Sequence, residues 1–331
     1  MPMHFLQLTD LHIKRPGQLA YRRVDSAAYL SRCVAHILAQ PEKPDAIVLT
    51  GDLVDAGAPE EYAHLRAVLA PLDAAGIRML PVLGNHDGRD AAREAFADWL
   101  APIPADAQDT HALQYWTDIG DVRLIVIDTL DSGHPGGRLG VQCLDWLAEA
   151  LARETQRPTV IAMHHPPFAT GIGHMDVQSL APEDIPAFAQ IVRAAGNVER
   201  IICGHLHRSI DVRFAGTVAS TCPSPAHQVA LDLDPNAAPG FVMEPPAYKV
   251  HAWVPGQGLV SHLAYVGQFD GPHPFFEPDG RRRGSGLVDQ PAIRATSAST
   301  SFSADAMDAR NRLSANSSYS MATDATSVMP M

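Results

Sequence analysis

Aspartate, histidine and asparagine recur in this chain in five short settings: Asp10 and His12 as D-x-H, Asp52 in TGDLVD, Asn85 and His86 in GNHD, His164 and His165 in HHPP, and His205 and His207 as G-H-x-H. Carboxylate, imidazole and amide oxygen suit divalent ions such as Mn²⁺, Fe²⁺ and Zn²⁺, and no cysteine falls inside the motifs to favour a softer metal. Each setting alone is ordinary. A Gly-Asp pair is a frequent turn, Asn and Asp bond their local backbone in turns, and a lone histidine at a strand end is more often a hydrogen-bonded structural residue. Turn chemistry does not explain why all five occupy the same kind of place.

That place is the end of a short apolar run. HFLQL, AIVLT, IRMLPV, PTVIAM and ERIIC each precede one of the motifs, and VRLIVIDT is a further β-branched run. Helical patterns lie between them: Leu65, Val68, Leu69 and Leu72 share one face of LRAVLAPLDAAG, as do Leu144, Leu147 and Leu151 in VQCLDWLAEALA. Strands alternating with helices imply crossover units in a largely parallel, buried sheet. Ligand sites in such sheets form beyond the carboxyl ends of the strands, so the five motifs are expected at one edge of one sheet. Later, RSIDVRFAGTVAST reads as a hairpin turning near Gly216, and AYKVHAWVPGQGLVSHLAYV as one turning at Gly256–Gly258. From about Gly280 onward Ser, Thr, Ala, Asp and Met dominate without periodicity, and residues 280–331 are expected to form a disordered tail.

The bulk numbers narrow the function classes. A chain of 331 residues that is 46% hydrophobic and 19% charged can bury a sizeable core. Its net charge of −12 argues against a partner such as a nucleic-acid polymer, and the one basic run, Arg281-Arg282-Arg283, reads as a linker. Cys33, Cys143, Cys203 and Cys222 form no C-x-x-C pair, which fits a reducing compartment. With no leader pattern and no membrane-length apolar run, the expectation is a cytoplasmic protein without a membrane partner.

The ordered set of D-x-H (Asp10, His12), G-D-x-x-D (Asp52, Asp55), G-N-H-D (Asn85 to Asp87), H-H-P-P (His164 to Pro167) and G-H-x-H (His205, His207) resembles the calcineurin-like metallophosphoesterase superfamily. Within it, the chain is similar to the class III cyclic-nucleotide phosphodiesterases and the neighbouring bacterial glycerophosphodiesterases. The likeness spans roughly residues 3–270 and includes PEEY after the second motif and HQV at His227 to Val229. The resemblance implies an α/β fold: a four-layer α-β-β-α sandwich of two mixed sheets, a catalytic domain over residues 1–275, and the late hairpins on the second sheet. It also implies pairing of subunits through the 248–265 hairpin.

The implied reaction is hydrolysis of a small phosphodiester, either a 3′,5′-cyclic nucleotide such as cAMP or a glycerophosphodiester, by a hydroxide held between two divalent ions. Two ions about 3.5–4 Å apart activate the attacking oxygen and neutralise the leaving one. The resemblance assigns Asp52 as the carboxylate shared by both ions, with Asp10, His12 and His207 on the first and Asn85, His164 and His205 on the second. The ions would be Mn²⁺, Fe²⁺ or Zn²⁺, alike or as a mixed Fe/Mn pair. His86 takes the general-acid role, for which an imidazole with a pKa near neutrality is suited. Asp55 and Asp87 are candidates to hold a ligand ring's other nitrogen, and His227 is a candidate to face the substrate. His165 competes with His164, because neighbours on a strand point to opposite faces. The loops expected to shape the leaving-group side are DAGAPEEYAHL and FATGIGHMDVQSL. A phosphomonoesterase or nuclease of the same superfamily, or a non-catalytic protein-binding scaffold, are the alternatives.

Overall fold

The computed structural model describes residues 3–278 and Arg283. The tail expected over 280–331 lies, Arg283 apart, outside the described residues. Five strands form the first sheet: β1 (His4–Leu8), β2 (Ala46–Thr50), β3 (Arg78–Val82) and the late pair Ala247–Val254 and Gly258–Tyr265. The second sheet holds β4 (Tyr115–Ile119), β5 (Val122–Val126), β6 (Thr159–Ala162), β7 (Val198–Cys203), β8 (Asp211–Phe214) and β9 (Thr217–Thr221). A two-stranded piece, β10 (Gln228–Val229) with β11 (Phe241–Val242), precedes the late pair, which is therefore β12 and β13.

Strands β1, β2 and β3 are parallel, as are β5, β6, β7 and β9, while β4 and β8 run antiparallel at the two edges of the second sheet. Side chains along the second sheet alternate between two cores, as the two-residue strand period requires. Leu124, Val126, Val160, Ala162 and Ile202 share one hydrophobic cluster with Phe5, Leu8, Ile47 and Leu49 of the first sheet. Ile125, Ile161, Met163, Ile201 and Cys203 turn the other way, into a second cluster. The sheets thus pack face to face.

Helices cover the outer faces. Helix α1 (Ser26–Leu38) starts where Asp25 Oδ1 accepts the Ala28 N–H at 3.0 Å. It packs with α2 (Pro59–Ala74) on the first sheet through Leu30, Val34, Leu65, Leu69 and Leu72. Short helices α3 (Arg89–Ala95) and α4 (Ala97–Leu100) follow β3. Helix α5 (Gly140–Ala152) and, after the single turn α6 (Gly173–Asp176), α7 (Ile185–Ala195) cover the second sheet through Leu147, Leu151, Phe188 and Val192. These are the four layers expected.

Two expectations need correction. The 248–265 hairpin does not join the second sheet; β12 pairs antiparallel with β1, His4 opposite Ala252 and Gln7 opposite Lys249, and extends the first sheet. Of the two late hairpins, only β8–β9 belongs to the second sheet. The segment DAGAPEEYAHL is not a loop throughout: helix α2 begins at Pro59, with proline at its first turn and Glu60 and Glu61 beside the positive end of the helix dipole. No helix among the described residues is long and apolar enough to cross a membrane, and the four cysteines are buried free thiols. A separate unit spans Phe269–Met331; in its described part the Arg283 guanidinium pairs with Glu277 at 3.0 Å.

Candidate metal centre

The five motifs come from both sheets rather than one. The chain leaves β1, β2 and β3 of the first sheet into the Asp10, Asp52 and Asn85 loops, and leaves β6 and β7 of the second into the His164 and His205 loops. Backbone bonds join these loops: Asp10 N–H donates to the Gly51 carbonyl (3.0 Å), His12 N–H to Asp52 (2.9 Å), and Gly204 N–H to His164 (3.0 Å). The Asp10 carboxylate crosses between the sheets by accepting the His205 N–H at 3.1 Å.

The local backbone is bent to serve this convergence. Asp10, His12, Asp52, His205 and His207 all have positive φ, between 45° and 71°, a region that non-glycine residues enter only at a cost and that clusters at functional sites. The glycines make room. Gly51 has φ +90°, and a Cβ there would overlap the His164 ring, while a Cβ on Gly84 would overlap the Asp52 carboxylate.

Backbone carbonyls then fix the rings. His164 Nδ1–H donates to the Thr50 carbonyl (2.8 Å), His207 Nδ1–H to His227 (3.0 Å), and His86 Nδ1–H to Asp55 (2.8 Å). In the neutral ring, each of these bonds leaves a lone pair on Nε2. His164 Nε2 lies 3.4 Å from Asp52 Oδ2, His12 Nε2 lies 3.7 Å from the same oxygen, His207 Nε2 lies 3.5 Å from Asp10 Oδ1, and His12 Nε2 faces His207 Nε2 at 3.2 Å. The buried atoms Asn85 Oδ1, His164 Nε2 and His205 Nε2 have no hydrogen-bond partner. Buried acceptors facing acceptors cost energy unless a cation sits among them. The donor set therefore fits divalent metal ions, and close groups able to hold one include His12 with His207 and His227, His164 with His165 and His205, and Asp10 with Asp52 and His164.

Charge is unevenly divided within the cluster. Burial pushes the Asp10 carboxyl up to about 6. Burial also works against ionised Asp52 and His164, but their mutual attraction prevails, holding Asp52 well below the usual carboxylate range and raising His164 to about 9. Burial, then the neighbouring His12, lowers His207 to about 3, and burial drives His205 well down. Both shifts favour the neutral ring, the form that binds metal, whereas the shift of His164 favours the protonated one.

The remaining candidates separate cleanly. His165 spends both nitrogens on protein: Nε2–H donates to the Pro135 carbonyl (3.2 Å) and Nδ1 accepts from Thr129 Oγ1 (2.8 Å). Asp55 sits 3.5 Å from His12 Nδ1 and pairs with Lys14. Asp87 does not touch a ring. Its carboxylate accepts from Gly84 N–H (2.9 Å), Leu53 N–H (3.2 Å), Val54 N–H (3.3 Å) and the Tyr62 hydroxyl (2.9 Å). It braces the third motif against the second, and Tyr62, the last residue of PEEY, explains why that helix start follows the motif.

A cavity of about 410 Å³ opens over this cluster, lined by His12, Asp52, Asn85, His86, His205 and His207. His174, Met175 and Gln178 of the FATGIGHMDVQSL segment also line it, with His227 and Val229, while nothing of DAGAPEEYAHL does. The cavity also takes in Tyr21 and Phe241, which carry no motif and were not legible in the sequence.

A family model described as calcineurin-like phosphoesterase matches residues 3–209. A protein of Arcobacter nitrofigilis named "Probable glycerophosphodiester phosphodiesterase GpdQ" is 35% identical over 280 residues, covering 84% of this chain and 98% of its own. A "Probable cyclic nucleotide phosphodiesterase" of Rhodococcus erythropolis is 33% identical over 239 residues, 70% of this chain and 74% of its own. Among solved structures, a dimetal phosphatase from Danio rerio superposes with TM-score 0.54 at 16% identity, over 81% of this chain and 100% of its own, which is a likeness of fold. The chain belongs to the calcineurin-like phosphoesterase family.

Proposed function

We propose that the protein is a hydrolase of small phosphodiesters that works with two divalent ions, its substrate being a 3′,5′-cyclic nucleotide or a glycerophosphodiester. The observation that carries this reading is the position of Asp52 Oδ2, 3.7 Å from His12 Nε2 and 3.4 Å from His164 Nε2. One anionic oxygen between two imidazoles is what a shared carboxylate requires. Asp10, His12, Asp52 and His207 would hold one ion, and Asp52, Asn85, His164 and His205 the other. Bound there, the ions would supply charge neutralisation and an activated nucleophile at neutral pH. Mn²⁺, Fe²⁺ and Zn²⁺ suit these donors.

The chain's own residues do the rest. His86 is tethered at Nδ1 by the Asp55 carbonyl and at its N–H by Asp52 Oδ1 (2.9 Å). Its ring lines the cavity, and in the imidazolium form, with Nδ1–H kept on the Asp55 carbonyl, it would hand the second proton from Nε2 to the leaving oxygen. His227 lines the same cavity and would contact the substrate. Two +2 ions against the carboxylates of Asp10 and Asp52 leave a positive site suited to a phosphodiester anion. The family names of relatives in both substrate groups support a phosphodiester over a monoester.

The catalytic domain would comprise residues 1–275. The four free thiols fit a reducing, cytoplasmic setting. Strand β13 is the end strand of its sheet, and a second copy could pair through it; light scattering would read a dimer or larger species. The test of function is the purified chain supplied with Mn²⁺ and assayed in parallel on cAMP, a glycerophosphodiester and a phosphomonoester. Turnover of diesters well above the monoester is the expected result, and preference for the monoester would reverse the assignment.

A further inference from the structure

Residues 20–24 make a tight reversal in which Ala20 N–H donates to the Val24 carbonyl (2.9 Å) and Val24 N–H returns to Ala20 (2.8 Å). Within it Arg23 N–H donates to the Ala20 carbonyl (3.0 Å), and the two residues that this turn encloses, Tyr21 and Arg22, both have positive φ, 50° and 56°. Turns of that shape select Asn-Gly, and a bulky residue held there is strained. The loop is nonetheless pinned, because Ala20 and Val24 are buried against Ala226, with Phe241 packed on the group. Tyr21 stays 53% exposed while lining the cavity beside His12, Asp52 and His86. Glycine would satisfy the turn without strain, and the fold gains little burial from a half-open ring. Strain maintained at a cavity mouth points to something the ring meets there.

The ring geometry decides what that is. Tyr21 lies on Phe241 with centroids 5.1 Å apart and planes 33° from parallel, and His227 meets both rings edge-on, at 5.2 Å and 5.4 Å. A cage for an ammonium group needs ring faces splayed around a gap. Here the two rings touch and leave none between them, whereas a half-open Tyr21 can extend the stack by one more flat layer. The His12 ring lies 6.4 Å from Tyr21, so a phosphate at the candidate ligands and a base on Tyr21 are separated by about one sugar. We propose that Tyr21, backed by Phe241, is the stacking wall for the base of a nucleotide substrate. This rests on the phosphodiesterase reading above and selects its nucleotide branch over a glycerol diester.

The test is calorimetric titration of the full chain, supplied with Mn²⁺, with AMP and with ribose 5-phosphate, which differ by the base alone. Base–aromatic stacking is worth roughly 5- to 150-fold in affinity, and AMP should bind tighter by a factor in that range. Tyr21→Gly should close the gap between the two ligands without lowering the melting temperature, Phe241→Leu should narrow it, and Tyr21→Phe should keep it. Equal affinities in the wild type, or a gap that survives Tyr21→Gly, would overturn the wall. So would a Tyr21→Gly variant that weakens both ligands equally and melts earlier, which is what a structural tyrosine predicts. Tighter binding of glycerophosphocholine than of AMP, lost in Tyr21→Gly, would replace the wall with a cation site. Turnover of cAMP and glycerophosphocholine, measured alongside, tests the phosphodiesterase reading separately: its absence contradicts that reading while the AMP titration still reports on Tyr21.

Discussion

His164 Nε2 and Asp52 Oδ2 lie 3.4 Å apart, and the only ring N–H of a neutral His164 is already given to the Thr50 carbonyl. Two buried acceptors in contact need a cation, either a proton on His164 or a metal ion. This competition governs how the site should respond to pH. The attraction of Asp52 outweighs burial and raises His164 to about 9, so metal uptake at pH 8 must displace its proton. Calorimetry of Mn²⁺ binding in buffers of different ionisation enthalpy should show proton release at pH 8. Affinity should fall as pH drops from 9, and more steeply below about 6, where Asp10 also holds a proton. Affinity that is flat from pH 9 to 6 would contradict the assignment.

Asp52→Ala removes the one oxygen between His12 and His164. Metal content of the purified variant should fall, and turnover should fall with it. Elemental analysis showing full metal occupancy would remove Asp52 from the shared position.

His86→Ala should behave differently. The ring lines the cavity but is not among the residues assigned to hold metal, so metal content should stay near wild type while turnover drops roughly 10²–10⁴-fold. A diester with a nitrophenolate leaving group needs less protonation, and on it the defect should shrink. An equal defect on good and poor leaving groups would exclude His86 as the acid.

Asp87→Asn tests a bracing role. The carboxylate accepts three backbone N–H groups and the Tyr62 hydroxyl, and an amide nitrogen would turn a donor towards some of them. Each buried donor left unpaired costs about 1–3 kcal/mol. Denaturant unfolding should show a loss of at least that size. An unchanged midpoint would show that the loops hold without it.

His251, buried between Ser261 and Gln7, should make stability pH-dependent. Its Nε2–H donates to Gln7 Oε1 (3.1 Å) and its Nδ1 accepts from Ser261 Oγ (2.7 Å), an arrangement a neutral ring completes. Burial, then Lys249, lowers its pKa well below 6.5. Below about pH 6.5 the unfolded chain therefore binds a proton that the folded chain refuses, and stability is lost as pH falls, by about 1.4 kcal/mol per pH unit for this ring. His251→Gln should show a shallower slope between pH 6.5 and 5. An identical slope would mean that the ring titrates alike in both states.

The strand-end motifs were legible because the chemistry needs unusual residue types in one structural position. Their distribution over two sheets was not, since AIVLT and VRLIV are buried throughout and carry no alternation to tell one sheet from another. The pairing of β12 with β1 joins residues almost the whole domain apart, and local pattern cannot report it. His164 and His165 look alike in sequence; what separates them is Thr50 beside one ring and Thr129 with Pro135 around the other. Tyr21 was invisible because QLAYRRV has neither periodicity nor motif, and only its backbone angle and its neighbour Phe241 mark it.

Two ions held by these loops would make the chain a phosphodiesterase. The most direct test of this is a titration of Mn²⁺ into the chelator-treated protein, with hydrolysis of cAMP, a glycerophosphodiester and a nitrophenyl phosphodiester followed at each addition. The expected result is no turnover before addition and a rise that saturates at two equivalents per chain. Turnover that persists in excess chelator, or fully loaded protein that hydrolyses none of these diesters, would contradict it.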